Sequence, residues 1–421
     1  MRFSIENFGC RVNQAEVFSW VEILQEKGFE WAKDSSQSNI VIVNTCTLTS
    51  KADQEARKLI RKIYRENPEI KIVLTGCYAD RSFEQFQLMP EVWALFKNSE
   101  KEQIPSRIIQ CLDYNLRNSK DHLKCVKSFR SRAFVKIQDG CNFLCTFCII
   151  PSVRGKSRSK PLPGILNQIK KYITQGFKEI ILTGIHLCSY GLDLTPRSSL
   201  FELLKRIEKL DGLNKIRLSS LDPRFLNSDF ISYLSSNQKI APHFHLSFQS
   251  GSNKLLERMG RHSTINQYRD ILSTFFKLSP EASLGADIIV GFPGEIEEDF
   301  NQTYNFLESS PLTYFHIFPF SPRPGTPAFR FPQINGRIKK ERARILRELS
   351  KKKNFEFRKK FVNKNLKGII TKKEQNSVQI LTYNYLNIKA NGNDKLKEGQ
   401  EKEIKIIQVT PSETRGELIS N

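Results

Sequence analysis

Cys141-Asn142-Phe143-Leu144-Cys145-Thr146-Phe147-Cys148 holds three cysteines at CxxxCxxC spacing. It directly follows the strand-like run Ala133-Phe134-Val135-Lys136-Ile137-Gln138. Structural zinc takes four ligands, usually as two CxxC pairs or a CxxC with two histidines, and no second pair follows here. Three thiolates in one loop suit three irons of a cubane [4Fe–4S] cluster, whose usual complement is four cysteines. The absent fourth ligand leaves one iron open to a small molecule. A zinc knuckle and three buried thiols are the alternatives that the spacing leaves.

Outward from that loop, composition narrows the class. A chain of 421 residues is long for one domain, and about 150 residues per domain suggests two or three. No apolar run approaches the roughly 20 residues of a membrane span. Met1-Arg2-Phe3-Ser4-Ile5-Glu6 lacks the basic head and apolar stretch of a signal peptide, so a cytoplasmic protein without a membrane partner is expected. Nine cysteines are too few and too unevenly placed for a secreted disulfide scaffold. The net charge of +22 calls for a polyanionic partner, nucleic acid first; a generally basic proteome is the plainer explanation.

Residues 1 to about 115 alternate apolar runs with helical patterns. Arg2–Phe8 precedes a helical segment near Asn13–Lys27, with Val17, Trp20, Val21 and Leu24 at helical spacing. Asn39–Asn44 is a continuous apolar run of the kind buried on both faces. A charged helix near Ser50–Glu66 and the run Lys71–Thr75 complete strand, helix, strand, helix, strand: a doubly wound parallel sheet. Cys10, Cys46 and Cys77 each follow one of these strands. The carboxyl ends of parallel strands share one edge, where such folds bind ligands, so the three are expected to meet there. A second three-thiolate cluster with an open iron is the economical reading, and three buried cysteines the bland one. Cys111 and Cys125 lie outside any motif and read as incidental.

From about residue 127 to 360, strand-like runs at Glu179–Thr183, Lys215–Ser219, His243–Phe248, Gly285–Val290 and Phe315–Pro319 alternate with helical stretches. Repeated βα units predict a complete or partial barrel, with functional residues at the carboxyl ends of its strands. Turns there carry Gly184, Gln249-Ser250-Gly251 and Gly291-Phe292-Pro293-Gly294, and glycine permits close approach to a ligand. Arg337 to Lys367 holds 14 Lys or Arg against three Glu. With Ile338, Ile345, Leu346, Leu349 and Phe355 at near-helical spacing, it predicts a basic amphipathic helix whose charged side meets phosphates or simply solvent. Short strand patterns at Gly368–Thr371, Val378–Leu381, Tyr385–Ile388 and Glu403–Ile407 predict a small β-barrel of the oligonucleotide-binding kind over 361–421.

The cysteine loop, its preceding strand and Phe147 resemble the radical S-adenosylmethionine (SAM) enzymes. Gly9-Cys10-Arg11-Val12-Asn13-Gln14-Ala15-Glu16, Asn44-Thr45-Cys46 and Thr75-Gly76-Cys77-Tyr78-Ala79 resemble the N-terminal domain of the methylthiotransferases within that superfamily. That resemblance spans nearly the whole chain. It implies an N-terminal methylthiotransferase domain (1–115), a radical SAM core (127–360) and a TRAM-like RNA-binding barrel (361–421). It also implies two [4Fe–4S] clusters, one on Cys141, Cys145 and Cys148 and one on Cys10, Cys46 and Cys77, with SAM as cosubstrate. Gly184, Gln249 and Gly291 match its SAM-binding segments, and the basic residues of Ile149–Ser159 would face phosphate or the SAM carboxylate, or simply solvent. No catalytic residue is implied beyond the cluster-bound cysteines.

Thr183–Gly191, Arg217–Pro223 and Phe318–Pro327 look most like the branch acting on N6-threonylcarbamoyladenosine at tRNA position 37. The implied partners are the tRNA anticodon stem-loop, SAM, and an electron donor and a sulfur donor of unspecified identity. Cys188 stands where a small residue is usual and reads as a buried thiol; Ser247 replaces a usual proline. His186 reads as a hydrogen-bonded turn histidine or a proton carrier. Alternatives are the isopentenyladenosine or ribosomal-protein branches, or a non-catalytic iron–sulfur RNA-binding or redox-sensing protein. A zinc-dependent nucleic-acid protein is a further one.

Overall fold

The computed structural model describes residues 1–112 and 131–419. Cys125 and the expected boundaries at 115 and 127 fall outside them. The described residues form two compact units. One is the N-terminal part of the chain with Asp139–Asn142 and Ile149–Lys156; the other comprises Phe143–Cys148 and most of the remainder.

In the first unit, β1 (Arg2–Asn7), β2 (Glu30–Trp31), β3 (Ile40–Thr45), β4 (Lys71–Gly76) and β5 (Ala94–Leu95) form one sheet in the order β2-β1-β3-β4-β5. All the pairings are parallel. β3 is buried at every residue, as its unbroken Ile-Val-Ile-Val run requires of a central strand. Val41 and Val43 pack with Ala56, Ile60 and Ile63 of the helix Ser50–Glu66, whose first turn is capped by Thr49 accepting from the Ala52 N–H at 3.2 Å. The edge strands β2 and β5 were not expected, since two residues carry no readable period.

In the second unit, β6 (Ala133–Asp139), β7 (Arg158–Ser159), β8 (Glu179–Gly184) and β9 (Lys215–Leu218) form one sheet; β10 (His243–Gln249), β11 (Ser283–Val290) and β12 (Tyr314–Pro319) form another. Single parallel bridges at Ile216↔Ile240 and Leu221↔Leu246 join them, so β6, β8, β9, β10, β11 and β12 make a partial βα barrel. Phe244 stacks on Phe275 and Phe248 on Tyr268 of the helix Ile265–Leu278, with ring centres 4.5 and 4.1 Å apart. By strand alternation His243 and His245 then face the opposite side, into the barrel.

The basic helix spans Gly336–Lys359 and stops short of the expected Lys367. Asn363 takes a left-handed φ of 67°, and a strand has begun by Asn365. Two of its arginines point inward: Arg342 to Glu295 and Glu297, Arg358 to Thr414 and Pro411. Ile338 is exposed while Leu346 and Leu349 are buried. Next come β13 (Asn365–Lys373), β14 (Ser377–Thr382), β15 (Asn387–Asn391), β16 (Glu401–Val409) and β17 (Thr414–Leu418), closed as β13-β14-β15-β17-β16. Phe357 and Phe361 enter that barrel's core. β15 begins later than expected because Tyr385 sits in a turn at φ 71°. β17, Thr-Arg-Gly-Glu-Leu, lacks apolar alternation and was not foreseen. Among the described residues no helix is long and apolar enough to cross a membrane.

Candidate functional site

The first-unit cysteines all lie just past carboxyl strand ends: Cys10 after β1, Cys46 after β3, Cys77 after β4. Glycine makes their approach possible. Gly9 has φ +95°, and a Cβ there would lie 2.7 Å from Cys46 Sγ. Gly76 has φ +104°, and a Cβ would lie 2.2 Å from the Thr45 carbonyl oxygen. Burial raises the Cys10 thiol, and burial together with the charges of Cys10 and Cys77 pushes Cys46 up to about 12. Burial and the neighbouring sulfurs thus oppose ionisation of Cys10 and Cys46 unless a cation joins them. The set therefore fits an iron cluster or another thiophilic metal.

Around them lies a buried polar network that the sequence reading missed. Arg154 donates from Nε to Cys77 Sγ at 3.2 Å and from Nη2 to Asn13 Oδ1 at 2.6 Å. Its Nη1 reaches Glu16 and Asp139, each at 3.0 Å. Glu16 also takes Lys101 Nζ at 2.6 Å. Burial opposes the charge on Arg154, but Cys77, Glu16 and Asp139 outweigh it and hold the guanidinium firmly ionised. For Lys101 burial wins over Glu16 and lowers its pKa. Arg154 was expected to face phosphate, a SAM carboxylate or solvent; it is buried against a cysteine and two carboxylates instead. Asn13 and Glu16 lie about one and two helical turns beyond Cys10, which is the signal that would have found them.

The loop carrying Cys141, Cys145 and Cys148 is pinned by its backbone. Gly140, at φ +69°, lies where a Cβ would meet the Lys156 oxygen at 2.0 Å. The Cys141 N–H donates to Gly155 O at 3.1 Å and the Cys148 N–H to Cys145 O at 3.0 Å. Thr146 donates to Met259 O at 3.0 Å and accepts from Ala328 N–H at 2.9 Å. All three cysteines are half-buried, held without sealing the thiols from a ligand.

Beside this loop, Asp222 gathers three cationic or donor groups: His186 Nε2 at 2.9 Å, Arg224 Nη2 at 2.7 Å and Arg261 Nη1 at 3.0 Å. Burial alone would raise the carboxyl; hydrogen bonds from His186 and Arg224 and the charge of Arg261 overcome it and hold it well below the usual range. Arg261 Nη1 also lies 3.9 Å from Cys145 Sγ. The Arg224 guanidinium stands 4.1 Å from the Phe143 ring centre, and His186 stacks 4.5 Å from it on a tilt. His186 is thus a turn histidine hydrogen-bonded to Asp222. Cys188 is buried, burial pushes its thiol up to about 12, and it accepts the Asp222 N–H at 3.3 Å; it positions Asp222.

Gly184, Gln249 and Gly291 end or follow β8, β10 and β11 on the same barrel edge. Gly184 pairs with Gln138 of β6. Gln249 adopts φ 72° beyond a bulge in β10, a strained backbone of the kind found at ligand sites. Gly291 gives its N–H to the Glu295 carboxylate at 3.0 Å and lies under the Lys339 side chain.

A partial barrel of parallel strands with a three-cysteine loop after its first strand defines a radical SAM enzyme, with SAM and a [4Fe–4S] cluster as cofactors. The Radical SAM superfamily model matches residues 135–307, and that of Uncharacterized protein family UPF0004 matches residues 2–96. The fold is also that of the radical S-adenosylmethionine methyltransferase TsrM from Kitasatospora setae, at TM-score 0.55 and 14% identity over 78% of this chain and 76% of that one. Two relatives refine the class. "Threonylcarbamoyladenosine tRNA methylthiotransferase MtaB" of Aquifex aeolicus is 38% identical over 408 residues, covering 93% of this chain and 97% of the relative. "tRNA-2-methylthio-N(6)-dimethylallyladenosine synthase" of the same organism is 31% identical over 438 residues, covering 99% and 98%. The chain belongs to the radical SAM methylthiotransferase family.

Proposed function

We propose that this protein adds a methylthio group to C2 of N6-threonylcarbamoyladenosine at position 37 of tRNA. The carrying observation is the near full-length similarity to the threonylcarbamoyladenosine enzyme, 38% identical against 31% for the dimethylallyladenosine synthase of the same organism. Cys141, Cys145 and Cys148 hold the SAM-cleaving cluster, and Cys10, Cys46 and Cys77 hold a second. When bound, SAM and the clusters supply the one-electron chemistry, the sulfur and the methyl group.

The chain's own residues then have definable work. Arg154 places positive charge against Cys77 and keeps its Nε–H on that sulfur, an outer-shell donor to a ligating cysteine. Arg261, fixed by Asp222, places positive charge beside Cys145. The strand ends at Gly184, Gln249 and Gly291 form the edge where SAM lies. The solvent-facing lysines and arginines of Gly336–Lys359 and the C-terminal barrel hold the anticodon stem-loop by its phosphates, within the cytoplasm.

The test is reconstitution. The protein, loaded anaerobically with iron and sulfide, is incubated with SAM, a reductant and an anticodon stem-loop carrying N6-threonylcarbamoyladenosine. Formation of the 2-methylthio nucleoside supports the reading. Turnover of an isopentenyladenosine stem-loop alone moves the chain to the other tRNA branch, and failure to cleave SAM on reduction favours the sensor alternative.

A further inference from the structure

Three side chains inside the barrel take no part in the site described above. His245 on β10, Asp287 on β11 and His316 on β12 each offer one ligand atom, and these atoms lie within 4.8 Å of one another. His245 Nε2 is 2.9 Å and His316 Nδ1 is 3.4 Å from the same Asp287 oxygen, Oδ1. The strands set this up: Asp287 and His316 are direct partners across β11 and β12, and His245 stands opposite Gly285. The glycine is required there, because a Cβ at Gly285 would lie 2.5 Å from the Tyr314 hydroxyl and 2.7 Å from His245 Nδ1.

We propose that His245, Asp287 and His316 form a mononuclear site for a divalent transition ion of the zinc type. Two imidazoles and a carboxylate make a nitrogen–oxygen donor set with coordination positions left open. Donor atoms about 2.1 Å from a metal stand about 3.0 to 3.4 Å apart along the edges of an octahedron or tetrahedron, close to the two separations seen. The outer shell is built as ligating histidines require. The Tyr314 hydroxyl lies 3.1 Å from His245 Nδ1 and is itself 2.7 Å from His243 Nε2, which holds the ring in place. Entry is open on the His316 side: its side chain is 55% exposed, and with Tyr314, Tyr385, Arg358 and Lys389 it lines a cavity of about 470 Å³. An ion seated here would present its open positions to water or an anionic oxygen in that cavity.

The experiment uses protein with both clusters loaded, so that the cluster cysteines do not compete for zinc. Zinc binding is titrated anaerobically against a chromophoric chelator, with iron counted in the same sample. The unaltered chain is expected to hold about one zinc; His316→Ala and Asp287→Asn to weaken it at least about 100-fold; and Tyr314→Phe, which touches no ligand atom, about 10- to 100-fold. Unchanged iron shows that each variant retains its clusters. X-ray absorption on the unaltered, zinc-loaded chain needs no variant to fold: a nitrogen and oxygen shell at about 2.0–2.2 Å is expected. A sulfur shell near 2.3 Å, or zinc retention equal in all chains, would overturn the site.

Discussion

Arg154 shows how much one side chain settles in this fold. It is buried with Glu16, Asp139, Asn13 and Cys77 around it. Replacing it with alanine takes a buried cation from Glu16, which keeps Lys101, and from Asp139, which keeps the Gly140 N–H, a loss of up to about 3–5 kcal/mol. Arg154→Ala is therefore expected to lower the unfolding midpoint, and to cut iron from about eight to about four per chain as the cluster on Cys10, Cys46 and Cys77 goes. Arg154→Lys, which keeps the charge but loses the fork of donors, should fall between. Equal iron in all three chains would show that this guanidinium does not support the cluster on Cys10, Cys46 and Cys77. Gly76 makes a second prediction at this scale. With φ +104° and Thr45 O 2.2 Å from any added Cβ, Gly76→Ala must displace the start of the Cys77 turn. A loss of about 1–3 kcal/mol and of the same half of the iron is expected, read by denaturant unfolding and metal analysis.

Among the elements, β9 meets the C-terminal barrel through Arg217. Arg217 is fully buried; it donates to Glu179 Oε1 at 2.6 Å on β8 and from Nη2 to the Thr382 and Tyr383 carbonyls at 3.3 and 3.1 Å. Burial alone would raise the Glu179 carboxyl, but Arg217 and Arg132 hold it below its ordinary value. A depressed carboxyl stabilises above its unfolded value, near pH 4.3, and that contribution is lost as pH falls through the folded value. Stability measured from pH 7 down to pH 3 should therefore drop below about pH 4.3, and Glu179→Gln should flatten that drop; an unchanged slope would refute the assignment. The same elements mark what the sequence discloses. Long periodic runs such as Ile40–Thr45 and Ser50–Glu66 were legible because their burial follows from local pattern. β2, β5 and β17 were not, since two residues, or Thr-Arg-Gly-Glu-Leu, carry no period. The helix end at Lys359 was hidden because no glycine or proline marks it; Asn363 turns the chain through a left-handed φ. Of the candidate sites, the six cysteines and their strand-end positions were readable from spacing. Arg154 and Asp222 were not, because a charged side chain in a loop looks solvated until its partners are placed.

For the whole molecule, charge dominates. A net +22 on a tRNA-modifying enzyme implies binding governed by counterion release. Exposed cations of Gly336–Lys359 carry part of it, while Arg342 and Arg358 are committed to the interior. Lys340→Glu, Lys351→Glu and Lys352→Glu combined should weaken tRNA binding across sequences and shallow its salt dependence, without altering iron content. Equal salt slopes would move the RNA-binding surface elsewhere. The central claim is the chemical product, and it is read most directly in the nucleosides of tRNA from a strain lacking this protein, set beside its parent by mass spectrometry. Loss of 2-methylthio-N6-threonylcarbamoyladenosine, with the unthiolated nucleoside accumulating, is the expected result. An intact 2-methylthio-threonylcarbamoyladenosine peak, with the isopentenyl derivative depleted or no nucleoside changed, would contradict it.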